Sequence, residues 1–283
     1  MNRQLISPVT QSDIAHFGTG STDFAFEMRV LNQLTSLGVL HASHGGTYID
    51  PFTKLPRQFD IQAEVIAESF TDDHLRVLLA IECKNLTEYG PILVHRCERT
   101  RQESSHFFFR ASMPDGQAPS KRKIEPTSVD VVENRLGRYQ WKQMVGKSLD
   151  HITRKGNGDL KSDDSEVYNR WTQAIASATS LIPRCQDIPR QADEWMTVIL
   201  PILVVPDNRI FVADYQANGS LLGTIRPESE VSFFLGHRPP VPHSSFSNFT
   251  FTHLEIMSET AIRNFVSTLL TRSNILSETL FIT

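Results

Sequence analysis

The chain has 283 residues, 40% of them hydrophobic and 21% charged, with a formal net charge of −4. That is enough for a sizeable core in one elaborated domain or two small ones. Three scattered cysteines (Cys83, Cys97, Cys185) show no C-x-x-C spacing, which excludes a disulfide framework and a structural zinc site and fits a reducing compartment. The first ten residues lack a signal-peptide apolar stretch and no run approaches membrane-spanning length, so a cytoplasmic protein with no membrane partner is expected.

Residues 1–20 read as an irregular lead-in. Ser21 or Thr22 can cap a helix over 23–37, which Gly38 stops. Phe24, Met28, Leu31 and Leu34 form its apolar stripe. Glu27 falls inside that stripe, where a charge is costly unless it finds a partner or reaches solvent at the rim. His41 and His44 have no partner at metal spacing and read as ordinary polar residues. Residues 45–58, G-G-T-Y-I-D-P-F-T-K-L-P-R-Q, read as a strand and a proline-bounded turn. Arg57 can contact a phosphate or pair with Asp50.

The stretch 57–85 reads as two strands joined by a polar reversal at Thr71-Asp72-Asp73-His74. Side chains alternate between faces with a period of two, so Asp60 shares a face with Gln62, and Glu82 with Lys84. Opposed positions of an antiparallel hairpin sum to a constant. A turn between 71 and 72 therefore sets Asp60 opposite Glu82 to Lys84, about 5 Å apart at Cβ. Two carboxylates and one ammonium converge there, which suits a hard metal ion. The plainer reading is a solvated strand end with a surface ion pair.

Asp60 followed by Glu82-Cys83-Lys84 resembles the PD-(D/E)xK nuclease superfamily, with Phe59 where the family name has proline. The resemblance implies a restriction-endonuclease-like α/β fold, a three-layer core with a mixed central sheet flanked by helices. Its order is one helix, a three-stranded meander with residues 45–49 as first strand, a second helix and a further strand. It also implies Mg²⁺, with Mn²⁺ as a substitute, and phosphodiester hydrolysis, on DNA before RNA. Asp60 and Glu82, with the Cys83 backbone carbonyl, would bind the ion. Lys84 would position water or steady charge, and Glu27 matches the glutamate that the first helix often lends to the metal.

Beyond the hairpin, 92–109 and 136–152 read as helices, 111–126 as a basic loop and 155–164 as a plain loop. Residues 95–155 hold 13 Lys/Arg against seven acids, a local +6 that leaves −10 for the rest. Local charge governs attraction to phosphate. Lys121, Arg122, Lys123, Arg138 and Lys142 are the candidate nucleic-acid contacts, or else a solvated face.

A helix over 166–181 carries Val167, Trp171, Ala174, Ile175, Ala178 and Leu181 inward, with Gln173 off the stripe. Gln173 matches the superfamily's glutamine on this helix, or is a surface residue. Residues 196–205 read as a buried fourth core strand whose Pro201 suggests an edge or bulge. Strands at 209–215, 231–235 and 251–256 and a helix capped by Ser258 follow. The expected layout is one domain over 21–283: a core at 21–94 and 165–216, a basic helix-and-loop insertion at 95–164, and a C-terminal elaboration. A metal-dependent endonuclease is the leading reading, compatible with a homodimer or a larger restriction or defence complex. A binding module of the same fold without catalysis, or an unrelated α/β protein, are the rivals.

Overall fold

The computed structural model describes residues 8–19, 23–39, 41–68, 73–86, 90–112, 123–130, 139–162, 165–186, 194–236 and 249–271. Two helices open the chain, α1 (Gln11–Thr19) and α2 (Asp23–Ser36). Strands β1 (His41–His44), β2 (Thr47–Ile49), β3 (Pro56–Gln58), β4 (Ile61–Glu68) and β5 (Asp73–Cys83) follow. Next come β6 (Ile92–Glu98), β7 (Ser105–Ser112), β8 (Lys123–Asp130), β9 (Met144–Arg154) and β10 (Leu160–Ser162). After them lie α3 (Ser165–Ser180), β11 (Glu194–Val205), β12 (Ile210–Asp214), β13 (Arg226–Glu228), β14 (Glu230–Phe234), β15 (His253–Ser258) and α4 (Glu259–Thr271).

The fold is α/β, dominated by one large mixed sheet in the order β1-β4-β5-β11-β15-β14-β9-β6-β12-β13. β1, β4 and β5 form an antiparallel meander, and β11 lies parallel to β5 after the crossover through α3. Alternation along β5 sends Leu79, Ile81 and Cys83 into the core shared with α2 and α4, and Leu78 and Ala80 into the core shared with α3. Helices thus cover both faces, which is why β5 and β11 read as unbroken apolar runs.

Several expectations are corrected. The lead-in contains α1, capped by Thr10, whose hydroxyl accepts the Asp13 amide while Asp13 accepts the Thr10 amide, a reciprocal box. The buried face of α2 is Phe26, Glu27, Val30 and Leu34, whereas Phe24 and Met28 are exposed. The first meander strand is β1, not residues 45–49, because β2 pairs with β3 in a separate two-stranded sheet. Apart from a single 3-10 turn at Gln102–Ser104, residues 92–109 and the described part of 136–152 are strands and turns rather than α-helices: β6 and β9 pair with each other along seven positions. β-branched and aromatic residues there favour strands, and tertiary pairing overrode the helical spacing. The start of β8 and the end of β7 fall inside the expected loop at 111–126, and β10 inside that at 155–164.

Pro201 sits in a central strand, yet the sequence warning had a basis. β11 pairs with β7 only through Thr197 and with β15 only from Ile202, leaving a gap on the side away from β5. Lys84 donates to the Val204 carbonyl. Alternation then directs the Pro201 nitrogen, which has no hydrogen, into that gap. The C-terminal segment is no fringe either: β15 lies beside β11 at the sheet's middle and α4 packs in the first core. Ser258 caps α4 as expected, accepting the Ala261 amide.

Candidate active site: an acidic corner of the sheet

The site lies where the end of β5, the start of β4, the N-terminus of α2 and the second turn of α3 meet. The β4–β5 register pairs Ile61 with Ile81, which extends to Asp60 across from Glu82. The turn residues 71–72 lie outside the described residues; the observed pairs sum to one less than a turn between 71 and 72 requires, and that register sets Asp60 across from Glu82 rather than Cys83. Asp60 Oδ2 accepts the Cys83 amide at 2.8 Å, clamping the carboxylate to the neighbouring strand. Phe59, at the proline position, is 8% exposed, and its amide donates to Gly46. A Cβ at Gly46 would stand 2.5 Å from the Phe59 ring, so the glycine lets that ring pack and fixes the approach to Asp60.

Glu82 is fully buried, and neither of its oxygens has a hydrogen-bond partner of ordinary geometry. Its nearest cation is Arg170, with Nη1 3.7 Å from Glu82 Oε2 and 3.6 Å from Asp60 Oδ2. Arg170 Nη2 donates to Asp23 Oδ2 at 2.9 Å, and Nη1 donates to Gln173 Oε1 at 3.4 Å. Asp23 also takes the Asn85 amide at 2.9 Å and lies 3.4 Å from Lys84 Nζ. Glu27 is buried on α2 with its Oε2 2.8 Å from His44 Nε2.

Burial dominates the electrostatics, because a charge taken out of water is disfavoured. It holds the Glu82 carboxyl well above the ordinary carboxylate range, Asp60 adds to the rise, and Arg170 opposes it. Asp60 is raised by burial, against the Cys83 amide and Arg170. Glu27 is raised by burial and by Asp60, with His44 pulling the other way. For Arg170 burial works against the charge, but Asp60, Asp23 and Glu82 outweigh it and hold the guanidinium more firmly protonated. Burial also pushes the Cys83 thiol far up, which leaves it an inert core group.

Among the described residues no three His, Cys, Asp or Glu side chains gather at metal-ligand spacing. An ion at this corner would have two carboxylates, Asp60 and Glu82. The Cys83 carbonyl belongs to a residue whose amide faces the same edge. Water would complete the shell, which suits Mg²⁺ because it keeps several waters. The buried, unpartnered Glu82 oxygens fit such an ion, since orphaned acceptors are otherwise costly.

Asp60, Glu82, Lys84, Glu27 and Gln173 therefore fall in one neighbourhood. Of the basic candidates, only Arg57 and Lys142 have described side chains, and each is engaged locally. Arg57 pairs with Asp50 at 2.6 Å. Lys142 is exposed and rests over the Trp141 ring at 4.6 Å. Lys121, Arg122 and Arg138 lie outside the described residues, as does the Lys123 side chain. Within the basic stretch, Arg96 pairs with Asp214 at 2.7 Å and Lys147 with Glu103, while Arg99 is buried over Tyr139. These three cations are thus paired or stacked within the protein. β9, moreover, lies four strands from β5, about 19 Å along the sheet at about 4.8 Å per strand.

Sequence reasoning missed Asp23, Arg170 and His44. In the sequence Asp23 figures only as the start of the helix over 23–37, Arg170 is not singled out, and His44 reads as an ordinary polar residue. The one usable signal was that Arg170 and Gln173 are three apart on one helix, and so adjacent. No helix among the described residues is long and apolar enough to cross a membrane. Compared with protein-family models, with curated proteins and with solved structures, the chain matches none of them.

Proposed function

We propose that the chain is a divalent-metal-dependent nuclease built on a restriction-endonuclease-like core, acting on DNA. The observation that carries this reading is Asp60 set across from Glu82 at one sheet corner, with both Glu82 oxygens buried and lacking a hydrogen-bond partner, and Lys84 tied to the corner through Asp23. The order helix, meander, helix, parallel strand (α2, β1-β4-β5, α3, β11) supports it.

In this reading Asp60 and Glu82 hold Mg²⁺, which supplies Lewis acidity toward phosphoryl oxygens and makes water more acidic. The Cys83 amide keeps Asp60 turned toward the site. Lys84, held near Asp23, offsets negative charge that grows on the phosphate as a water oxygen attacks phosphorus. One phosphorus–oxygen ester bond breaks. The attacking water gives up a proton to solvent and the departing sugar oxygen takes one from solvent, leaving a phosphate monoester and a hydroxyl. Gln173, through Arg170, keeps the cationic side of the site in register.

The test is incubation of plasmid with the intact chain and Mg²⁺, with and without chelator, beside Asp60→Asn and Lys84→Ala. Cleavage that needs the ion and fails in both variants is expected. Cleavage unchanged in Lys84→Ala would locate the activity elsewhere. The Arg170 guanidinium already beside both carboxylates favours a second reading, a nucleic-acid-binding module without catalysis. That reading predicts gel-shift binding to DNA without cleavage in either Mg²⁺ or Mn²⁺.

A further inference from the structure

Arg170 stands where a divalent cation would have to stand. Its Nη1 lies 3.6 Å from Asp60 Oδ2 and 3.7 Å from Glu82 Oε2, one oxygen of each carboxylate that would hold the ion. An Mg²⁺ needs such oxygens at about 2.1 Å. A cation on that pair and a guanidinium nitrogen under 4 Å from both would crowd like charges into a site with little water to screen them. The guanidinium is also the more movable of the two, being 25% exposed where the Glu82 side chain is 1% exposed. It has a second anchor outside the pair, Asp23 at 2.9 Å, and the Gln173 amide steadies it from the next turn.

We propose that Arg170 is the resident counter-ion of the acidic corner and competes with the divalent cation for it. Arg170 is then a positioning residue that sets ion affinity: the ion enters as the guanidinium withdraws toward Asp23 and the surface. There its planar fork suits a phosphate oxygen pair, which a lysine ammonium does not reproduce. Substrate phosphate, by drawing the guanidinium outward, thereby favours ion loading. This inference rests on the metal-site reading above and deepens it.

The experiment measures Mn²⁺ binding to the intact chain by the loss of its free electron-spin-resonance signal. Wild type, Arg170→Gln, Arg170→Lys and Glu82→Gln are compared, and each is also melted in chelator and in excess Mn²⁺. Arg170→Gln is expected to bind Mn²⁺ about tenfold more tightly than wild type. It should melt lower than wild type in chelator and recover with the ion; a merely structural arginine would lower both melts alike. Arg170→Lys keeps the charge at one point and should fall between. If Arg170→Gln fails to fold, the lysine variant decides, with a rise of about threefold expected. Unchanged or weaker Mn²⁺ binding in the folded variants, while wild type binds and Glu82→Gln does not, overturns the competition and leaves the metal site standing. No Mn²⁺ binding by wild type or any variant overturns both.

Discussion

Glu82 and Glu255 are equally hidden, at 0% and 1% exposure, and the chain treats them in opposite ways. Glu255, on the central strand β15, accepts the Tyr139 hydroxyl and the Ser232 hydroxyl, each at 2.9 Å. Around it stacks a packed polar core. His106 stacks parallel to Tyr139 at 4.7 Å, His253 lies tilted against it at 4.5 Å, and Arg99 sits over the same ring at 5.4 Å. Burial drives His106 down to about 4, so it is neutral there at physiological pH. Glu82 has no such hydroxyls, and its cation stands off at 3.7 Å. A buried carboxylate with its acceptors filled supports a fold. One left unfilled destabilises it, and such sites mark places where a ligand is needed.

The contrast breaks most clearly in activity. Glu82→Gln or Asp60→Asn should lower Mg²⁺-dependent plasmid cleavage by about a thousandfold or more, because one charged group at the reacting centre supplies several kcal/mol. Glu255→Gln should leave cleavage by the folded protein within a few-fold. If the two variants lost cleavage equally, the assignment of roles would be wrong.

Stability should run the other way. Glu255→Ala strands the buried Tyr139 hydroxyl and the half-buried Ser232 hydroxyl and opens a cavity, and should cost about 3 kcal/mol in urea unfolding. Gly46→Ala drives a methyl into the Phe59 ring and should cost about 1–3 kcal/mol. Glu82→Gln should stabilise the chain in chelator by about 1–2 kcal/mol, since it removes a buried charge with no hydrogen-bond partner. A destabilised Glu82→Gln would mean that the Arg170 contact outweighs the burial.

The same carboxyl gives a pH dependence whose sign is fixed by linkage. The folded value of Glu82 lies well above its ordinary 4.5, so the native state holds the proton longer than the unfolded chain. Its contribution is fully present below about 4.5 and is lost as pH rises through the higher folded value. Wild type in chelator should therefore lose stability across that window more steeply than Glu82→Gln. Parallel curves for the two proteins would rule out Glu82 as the source.

The acidic corner was legible because it is local: a period-two alternation and one hairpin register carry Asp60 to Glu82 across 22 positions of chain. Helices α2, α3 and α4 were legible from caps and spacing. The strands between 92 and 154 were not, since β6 and β9 are stabilised by pairing with each other and β6 also with β12, far along the chain. Asp23 and Arg170 were hidden for the same reason. They are 147 residues apart and meet only when α2 and α3 close on the rim of the sheet.

The smallest effect concerns Arg57, which the sequence left between phosphate and Asp50. Asp50 is already held by the Phe52 and Thr53 amides at 2.8 and 2.9 Å, and these hold its carboxyl below the ordinary range together with Arg57, against burial. The Arg57 side chain is 37% exposed, so water screens the pair. Arg57→Ala should cost at most about 1 kcal/mol in urea unfolding. It should also leave DNA binding, read by gel shift, nearly unchanged, because the guanidinium is committed to Asp50. A several-fold loss of DNA binding with unchanged stability would mean that Arg57 leaves Asp50 for phosphate, and would extend the substrate-facing surface from the acidic corner onto the β2–β3 hairpin.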